Sequence, residues 1–396
     1  EKGSKEALVE GTLTSSLDDA SNFTDAEKTE LNTGLSGTYG NIFKLYNNKV
    51  PYKGSVTYDL YLFVDENATE YQNTTFAAGV AVKSYEREAD PTLLADYVKS
   101  LYTGTQGENN IYYHDSTLTN GAGDNSYRYA GANDQVNNYV CFGSNETPCP
   151  TDNLYRIIGV FGDQVKLIKY DYATSSLLGT DGDYYGQYTS GSDYYKGSNY
   201  ANIAVYYWNK STKKNTWSES NLNKVNLNTN FINNIGTTWS NKIITTTWKV
   251  GGNTYDNIQD VVPRTAYQNE VVNPVATYTK DNATEYSAKI GLMYASDYGF
   301  AAAPSAWTRK LSYDSGNGYS NTAVTSVNWM YMGLYDWTIS RSAGYSDNAF
   351  IVNSHGQLDN SRIADSRFGV RPSFNLSSDT TYKLGQGTAA DPITIN

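Results

Sequence analysis

The sequence predicts a mixed α+β fold, with strands carrying both ends and helices in the middle. Three observations lead there. Val56, Tyr58, Leu60, Leu62 and Val64 alternate with Thr57, Asp59, Tyr61 and Phe63, which is strand periodicity. Leu154-Tyr-Arg-Ile-Ile-Gly-Val-Phe and Gln164-Val-Lys-Leu-Ile-Lys flank Gly162-Asp163 as the arms of a hairpin. Leu93, Leu94, Tyr97, Val98 and Leu101 recur at helical spacing.

Taken in order, the elements fall into three zones. Residues 1–88 open with a polar stretch, and Asn22 to Asn32 has helix-like polarity with Thr24 and Glu27 placed as a capping box. The strand at 56–64 ends at the turn Asp65-Glu-Asn-Ala, and Phe76 to Val82 reads as another strand. This zone resembles an all-β portion. Residues 89–135 hold the helix around Leu94, with Pro91 suited to its first turn, and then a Gly- and Asn-rich run that reads as a loop or linker. Residues 136–396 form the largest zone. After the hairpin comes a Tyr-, Gly- and Ser-rich loop at 171–200, with Asp-Tyr-Tyr at 183–185 and 193–195. Ser218 to Ile235 is helix-compatible, with Leu222, Val225, Leu227, Phe231 and Ile235 as the buried stripe, and Trp239 to Val250 suits a second helix or a strand pair. Trp337 to Ser340, Ala349 to Val352 and Val370 to Leu376 are strand-like. Trp208, Trp217, Trp239, Trp248, Trp329 and Trp337 sit in apolar contexts and are expected in the core.

Composition excludes several functions. The chain has 396 residues, 41 acidic and 30 basic, for a net charge of −11, so it repels phosphate backbones and nucleic acid is not an expected partner. Its 37 Tyr, 11 Phe and 7 Trp argue against wholesale disorder. Tyr with Asn, Ser and Gly is also the residue set of binding loops, where Tyr supplies rigid contact area. No apolar run is long enough for a spanning helix. The chain starts at Glu1 without a leader and is expected to be a processed, extracellular or surface product. Cys141 and Cys149 flank a turn marked by Gly143, Asn145 and Pro148. A small disulfide loop is expected, the alternatives being two free thiols or a metal clip. No phosphate-cradling loop, His-Glu-x-x-His or Gly-x-Ser-x-Gly occurs, so no enzyme activity and no cofactor are expected. His355 lacks a recognisable nucleophile or carboxylate partner.

The C-terminal zone carries a resemblance. Trp337-Thr-Ile-Ser-Arg341, Ala349-Phe-Ile-Val, Gly356 and Phe368-Gly-Val-Arg-Pro-Ser-Phe-Asn-Leu376 resemble the end of a C-type-lectin-like fold. The branch is that of formylglycine-generating-enzyme-like domains, the variable proteins of diversity-generating retroelements and surface proteins of gut Firmicutes. The 154–160 segment fits the first hairpin of such a domain, and the likeness covers about residues 136–396. The 56–68 and 76–82 segments are similar to the last strands of TasA-like (camelysin-like) sandwiches. This implies secretion and self-assembly into fibres by strand exchange.

What the resemblance implies for the site is a ligand face displayed on a rigid base between Ser342 and Phe368. Its members would be Tyr345, Asp347, Asn348, Asn353, His355, Gln357, Asp359, Asn360, Arg362, Asp365 and Arg367. These polar groups suit sugars or peptide edges, whereas the bland alternative is a solvated loop. Arg371 is expected beneath the site. The Tyr pairs at 184–185 and 194–195 are a candidate stacking platform or a plain surface loop. The copper-binding cysteine pair of formylglycine-generating enzymes is not carried over, because both cysteines precede the lectin-like core. Neither Glu-Pro-Asn nor Gln-Pro-Asp occurs, so no calcium or other metal is expected. The expectation is an adhesin-like surface protein binding a glycan or a host, bacterial or phage protein. The alternative is a fibre subunit using the fold as scaffold.

Overall fold

The computed structural model describes residues 92–190, 201–253, 261–275, 283–312, 318 and 322–396. The expected strands and helix of 1–88, with the TasA-like portion, lie outside these residues, as does the Tyr194-Tyr195 pair. The described residues belong to one unit, Ala89–Asn396.

A mainly antiparallel sheet organises this unit. Its strands are β1 (Ile111–His114), β2 (Ser126–Tyr129), β3 (Tyr139–Cys141), β4 (Leu154–Phe161) and β5 (Gln164–Lys169). A hairpin of β6 (Tyr184–Ser190) and β7 (Ala201–Tyr206) follows, then β8 (Thr246–Lys249), β9 (Gly252–Asn253), β10 (Glu285–Ala288) and β11 (Ile290–Gly291). The C-terminal strands are β12 (Asp336–Ser342), β13 (Asn348–Val352), β14 (Leu358–Arg362), β15 (Ser373–Asn375), β16 (Tyr382–Leu384) and β17 (Thr394–Ile395). The main sheet runs β1-β2-β4-β5-β15-β11, and β3 joins β4 beyond β2. A second sheet runs β14-β13-β12-β9, with β9 parallel to β12. Together with the helices below, this is a mixed α+β architecture.

The predicted hairpin is β4–β5, turning where Phe161 faces Gln164. Nearly all of β4 is buried, which explains its continuous apolar run. Arg156 interrupts that run but is fully satisfied. Its Nη2 donates to Val136 O at 2.7 Å, and the guanidinium lies over Tyr139 and Trp329. Helix α1 (Leu94–Ser100) buries Leu94 and Val98, whereas Leu93 precedes it in extended backbone and is exposed. The 104–133 run read as loop or linker instead supplies β1 and β2. Short strands rich in Tyr, separated by Asn and Gly turns, lack the apolar alternation that would mark them.

Helix α2 (Leu222–Phe231) is wound more widely than an α-helix. Leu222, Leu227 and Phe231 are buried at spacings of five and four, so Val225 and Ile235, expected from α periodicity, are only half-buried. Trp239–Val250 resolves into a helical turn at Thr237–Ser240 and strand β8. Helix α3 (Pro263–Tyr267) continues as a wider turn through Val272, and α4 (Ala295–Ala301) packs beside it. The six expected core tryptophans are all buried, and Trp307 joins them. The C-terminal tail closes the unit, with Leu94 N donating to Thr380 O and Cys141 N to Ile393 O. Cys141 and Cys149 are disulfide-bonded. Among the described residues no helix is long and apolar enough to cross a membrane.

Candidate functional site

The site is built on the loop that joins β12 to β13. Asn215 lies beneath it, fully buried, and its Nδ2 donates to the carbonyls of Ser342 (2.9 Å), Tyr345 (2.8 Å) and Asn348 (2.9 Å). Its backbone N–H donates to Ser346 O at 2.7 Å. From the other side, Ser342 Oγ accepts the N–H groups of Gly344 and Tyr345. The inward polar groups of the loop are thus consumed, and what is left points out. Tyr345 is 51% exposed, while Asp347 and Asn348 are half-buried. With its amide nitrogen turned toward Asp347, Asn348 donates to that carboxylate at 3.1 Å.

The register of β13 and β14 decides which other candidates join them. Asn348 faces Arg362, Phe350 faces Asn360, Ile351 faces Asp359 and Val352 faces Leu358. Residues directly opposite share a face and successive residues alternate, so Asp359 points to the face opposite Asn360 and Arg362. The two ends of the hairpin are about 13 Å apart, four residue steps at strand rise. The eleven candidates therefore do not share one surface. Tyr345, Asp347, Asn348 and Arg362 lie at one end, where Ile363 N donates to Asp347 O at 3.0 Å. Asp365 stays with them, 3.9 Å from Arg362 in an exposed pair that contributes little.

Asn353, His355 and Gln357 form the turn at the other end. Asn353 is 6% exposed and its Oδ1 accepts the N–H groups of His355 and Gln357, while its Nδ2 donates to Gln357 Oε1 at 2.6 Å. Its polar atoms hold the turn. Gly356 there has φ +79 and gives its carbonyl to Tyr298 OH. His355 is exposed.

Arg367 connects the first end to the tyrosine-rich segment. Its guanidinium carbon lies 4.0 Å from the centroid of Tyr185, which is 49% exposed. Tyr185 meets Tyr207 edge-on at 5.6 Å, and Lys210 Nζ lies over Tyr207 while donating to Ala364 O at 2.8 Å. Tyr184, by strand alternation, turns inward against Tyr206. Backbone bonds between Tyr206 and Phe368 lock the two segments together, and Tyr335 stacks on Phe368 at 5.0 Å. The 183–190 stretch read as loop is thus largely strand β6. Gly186 and the polar tyrosines hid the periodicity.

Arg371 is buried, and its partner Asp336 pairs with Val352, at the end of β12 away from the loop over Asn215. Arg371 Nε donates to Asp336 Oδ2 and its Nη2 to Met330 O at 2.9 Å. Burial pushes the Asp336 carboxyl up to about 6, against the pull of that guanidinium. Among the described residues, no three His, Cys, Asp or Glu side chains are grouped to hold a metal ion. Sequence reasoning missed Asn215, Tyr207, Lys210 and Tyr335. Only the apolar setting of Tyr206-Tyr207-Trp208 signalled that this segment packs closely. No family model, curated protein or solved structure matches the chain.

Proposed function

We propose that this protein is a secreted or cell-surface, adhesin-like binding protein that recognises a glycan or protein. The contact surface is the end of the β13–β14 hairpin that carries Tyr345, Asp347, Asn348, Arg362, Asp365 and Arg367, extended by Tyr185. The observation that carries the reading is the loop over Asn215. A buried amide holds three carbonyls of one loop, so an exposed Tyr and its polar neighbours are held in place before any ligand arrives. Pre-ordering lowers the entropy lost on binding, and Tyr adds contact area with few rotors. The Cys141–Cys149 disulfide supports an oxidising compartment.

The test is binding on a glycan array and to panels of host and phage proteins. Changing Tyr345, Asn348 and Arg362 together to Ala should weaken the strongest interaction at least about tenfold, or ~1.4 kcal/mol. His355→Ala, at the far end of the hairpin, should leave it unchanged. A folded triple variant with full affinity would sink the site assignment.

A further inference from the structure

A second polar cluster lies inside the unit and has no part in that surface. Lys166 on β5 is 5% exposed, and its Nζ lies 2.5 Å from Oδ2 of Asp297, itself 3% exposed. Asp297 stands in the first turn of α4, where the same oxygen accepts the N–H of Tyr294 at 3.0 Å. Aromatic rings enclose the amine, with Tyr294 at 4.4 Å, Trp248 at 5.4 Å and Phe161 at 5.7 Å. Glu270, fully buried, accepts the N–H of Ser296, the residue before Asp297, at 3.1 Å. Arg128 approaches the other oxygen, its Nη1 3.7 Å from Asp297 Oδ1 and without a hydrogen bond. The remaining donors of Arg128 are taken by Ser126 Oγ and Asp124 Oδ2.

An ammonium and a carboxylate in such surroundings pay a desolvation cost that a neutral amine and a neutral acid do not. Burial accordingly lowers Lys166 from its ordinary value and pushes Glu270 up to about 7. An amine held 2.5 Å from a carboxyl oxygen, away from bulk water, is a reactant pair already in contact. We propose that Lys166 and Asp297 are joined by an intramolecular amide bond between Nζ and Cγ.

The step balances without an oxidant or co-reactant. A proton passes from the ammonium to the carboxylate, leaving an amine and an acid. Nζ adds to Cγ and the carbonyl electron pair moves to Oδ1, where Arg128 Nη1 faces the developing charge. The added nitrogen gives up one proton to the departing hydroxyl on Oδ2, the oxygen it already contacts. The Cγ–Oδ2 bond breaks, water leaves and the amide remains. The bond would tie β5 of the main sheet to α4 covalently, a second cross-link beside the disulfide.

The experiment is intact-mass measurement of the full chain after denaturation and disulfide reduction, followed by peptide mapping. The wild-type chain should be one water lighter than its sequence, and a branched peptide should contain both Lys166 and Asp297. Lys166→Ala and Asp297→Ala should each return the full sequence mass. Because water can also be lost by succinimide formation at Asp, the branched peptide is the deciding observation, and it needs no variant to fold. A wild-type chain at full mass would overturn the proposal. So would a water loss that maps elsewhere or persists in Lys166→Ala.

Discussion

The guanidinium of Arg367 rests 4.0 Å over the ring of Tyr185, joining two segments that are far apart in the chain into one surface. The contact covers one face of a half-exposed tyrosine and leaves the rest of the ring open. An exposed cation–π pair contributes about 0.5–1 kcal/mol. A double-mutant cycle with Tyr185→Ala and Arg367→Ala, read by denaturant unfolding, should give a coupling of that size. Strictly additive effects would show that the pair does not form in solution.

Asn215 should matter for binding although it is out of reach of any ligand. Asn215→Ala leaves three loop carbonyls without their donor, at a cost of about 1–3 kcal/mol. The expected result is a lower Tm with faster amide exchange at Gly344 to Asp347. Unchanged exchange in that loop would show that Asn215 does not order it.

The Asp336–Arg371 pair is fully buried. Removing one partner strands a charge, so Asp336→Ala should destabilise the protein by about 3–5 kcal/mol. Replacing both, Asp336→Leu with Arg371→Met, should recover much of that loss. If the double variant is as unstable as the single one, packing rather than the orphaned charge sets the cost.

Glu270 predicts the sign of a pH effect. Burial raises its carboxyl from 4.5 to about 7, despite hydrogen bonds from Ser296 and Ser340 that pull it down. Between those values the native chain holds a proton that the unfolded chain has lost. Stability therefore falls as pH rises through this window and levels off above it. Lys166, Asp297 and Arg128 face the same cluster and are present in both proteins of the comparison below, so the difference between the two slopes reports on Glu270. Tm measured from about pH 4.5 to about 7 should decline, and Glu270→Gln, which cannot ionise, should flatten that segment. An equal slope in both proteins would rule Glu270 out as the titrating group.

Much of the scaffold was legible. The β4–β5 hairpin, β13, the tryptophan core, the helix around Leu94 and the buried Arg371 follow from local patterns. Strand β14, Leu-Asp-Asn-Ser-Arg, was not, because an edge strand with half-buried polar residues on both faces lacks alternation. The candidate site was legible as a polar segment but not as a surface. Reading eleven residues along one stretch could not show that Asn353 and Gln357 turn inward at one end, or that Asp359 faces away from Asn360.

By itself, the sequence determined the β4–β5 hairpin, the helix around Leu94 and the tryptophan core of the described C-terminal unit, and it marked 342–368 as a polar segment between apolar anchors. Periodicity, turn glycines and apolar anchors act between near neighbours, so they are written locally. The tertiary structure decided which polar residues stand together. Strand register, the seat of Asn215 under the loop, Arg367 over Tyr185 and Lys166 against Asp297 are all contacts between distant segments. Their energies depend on burial and alignment that only the packed chain supplies.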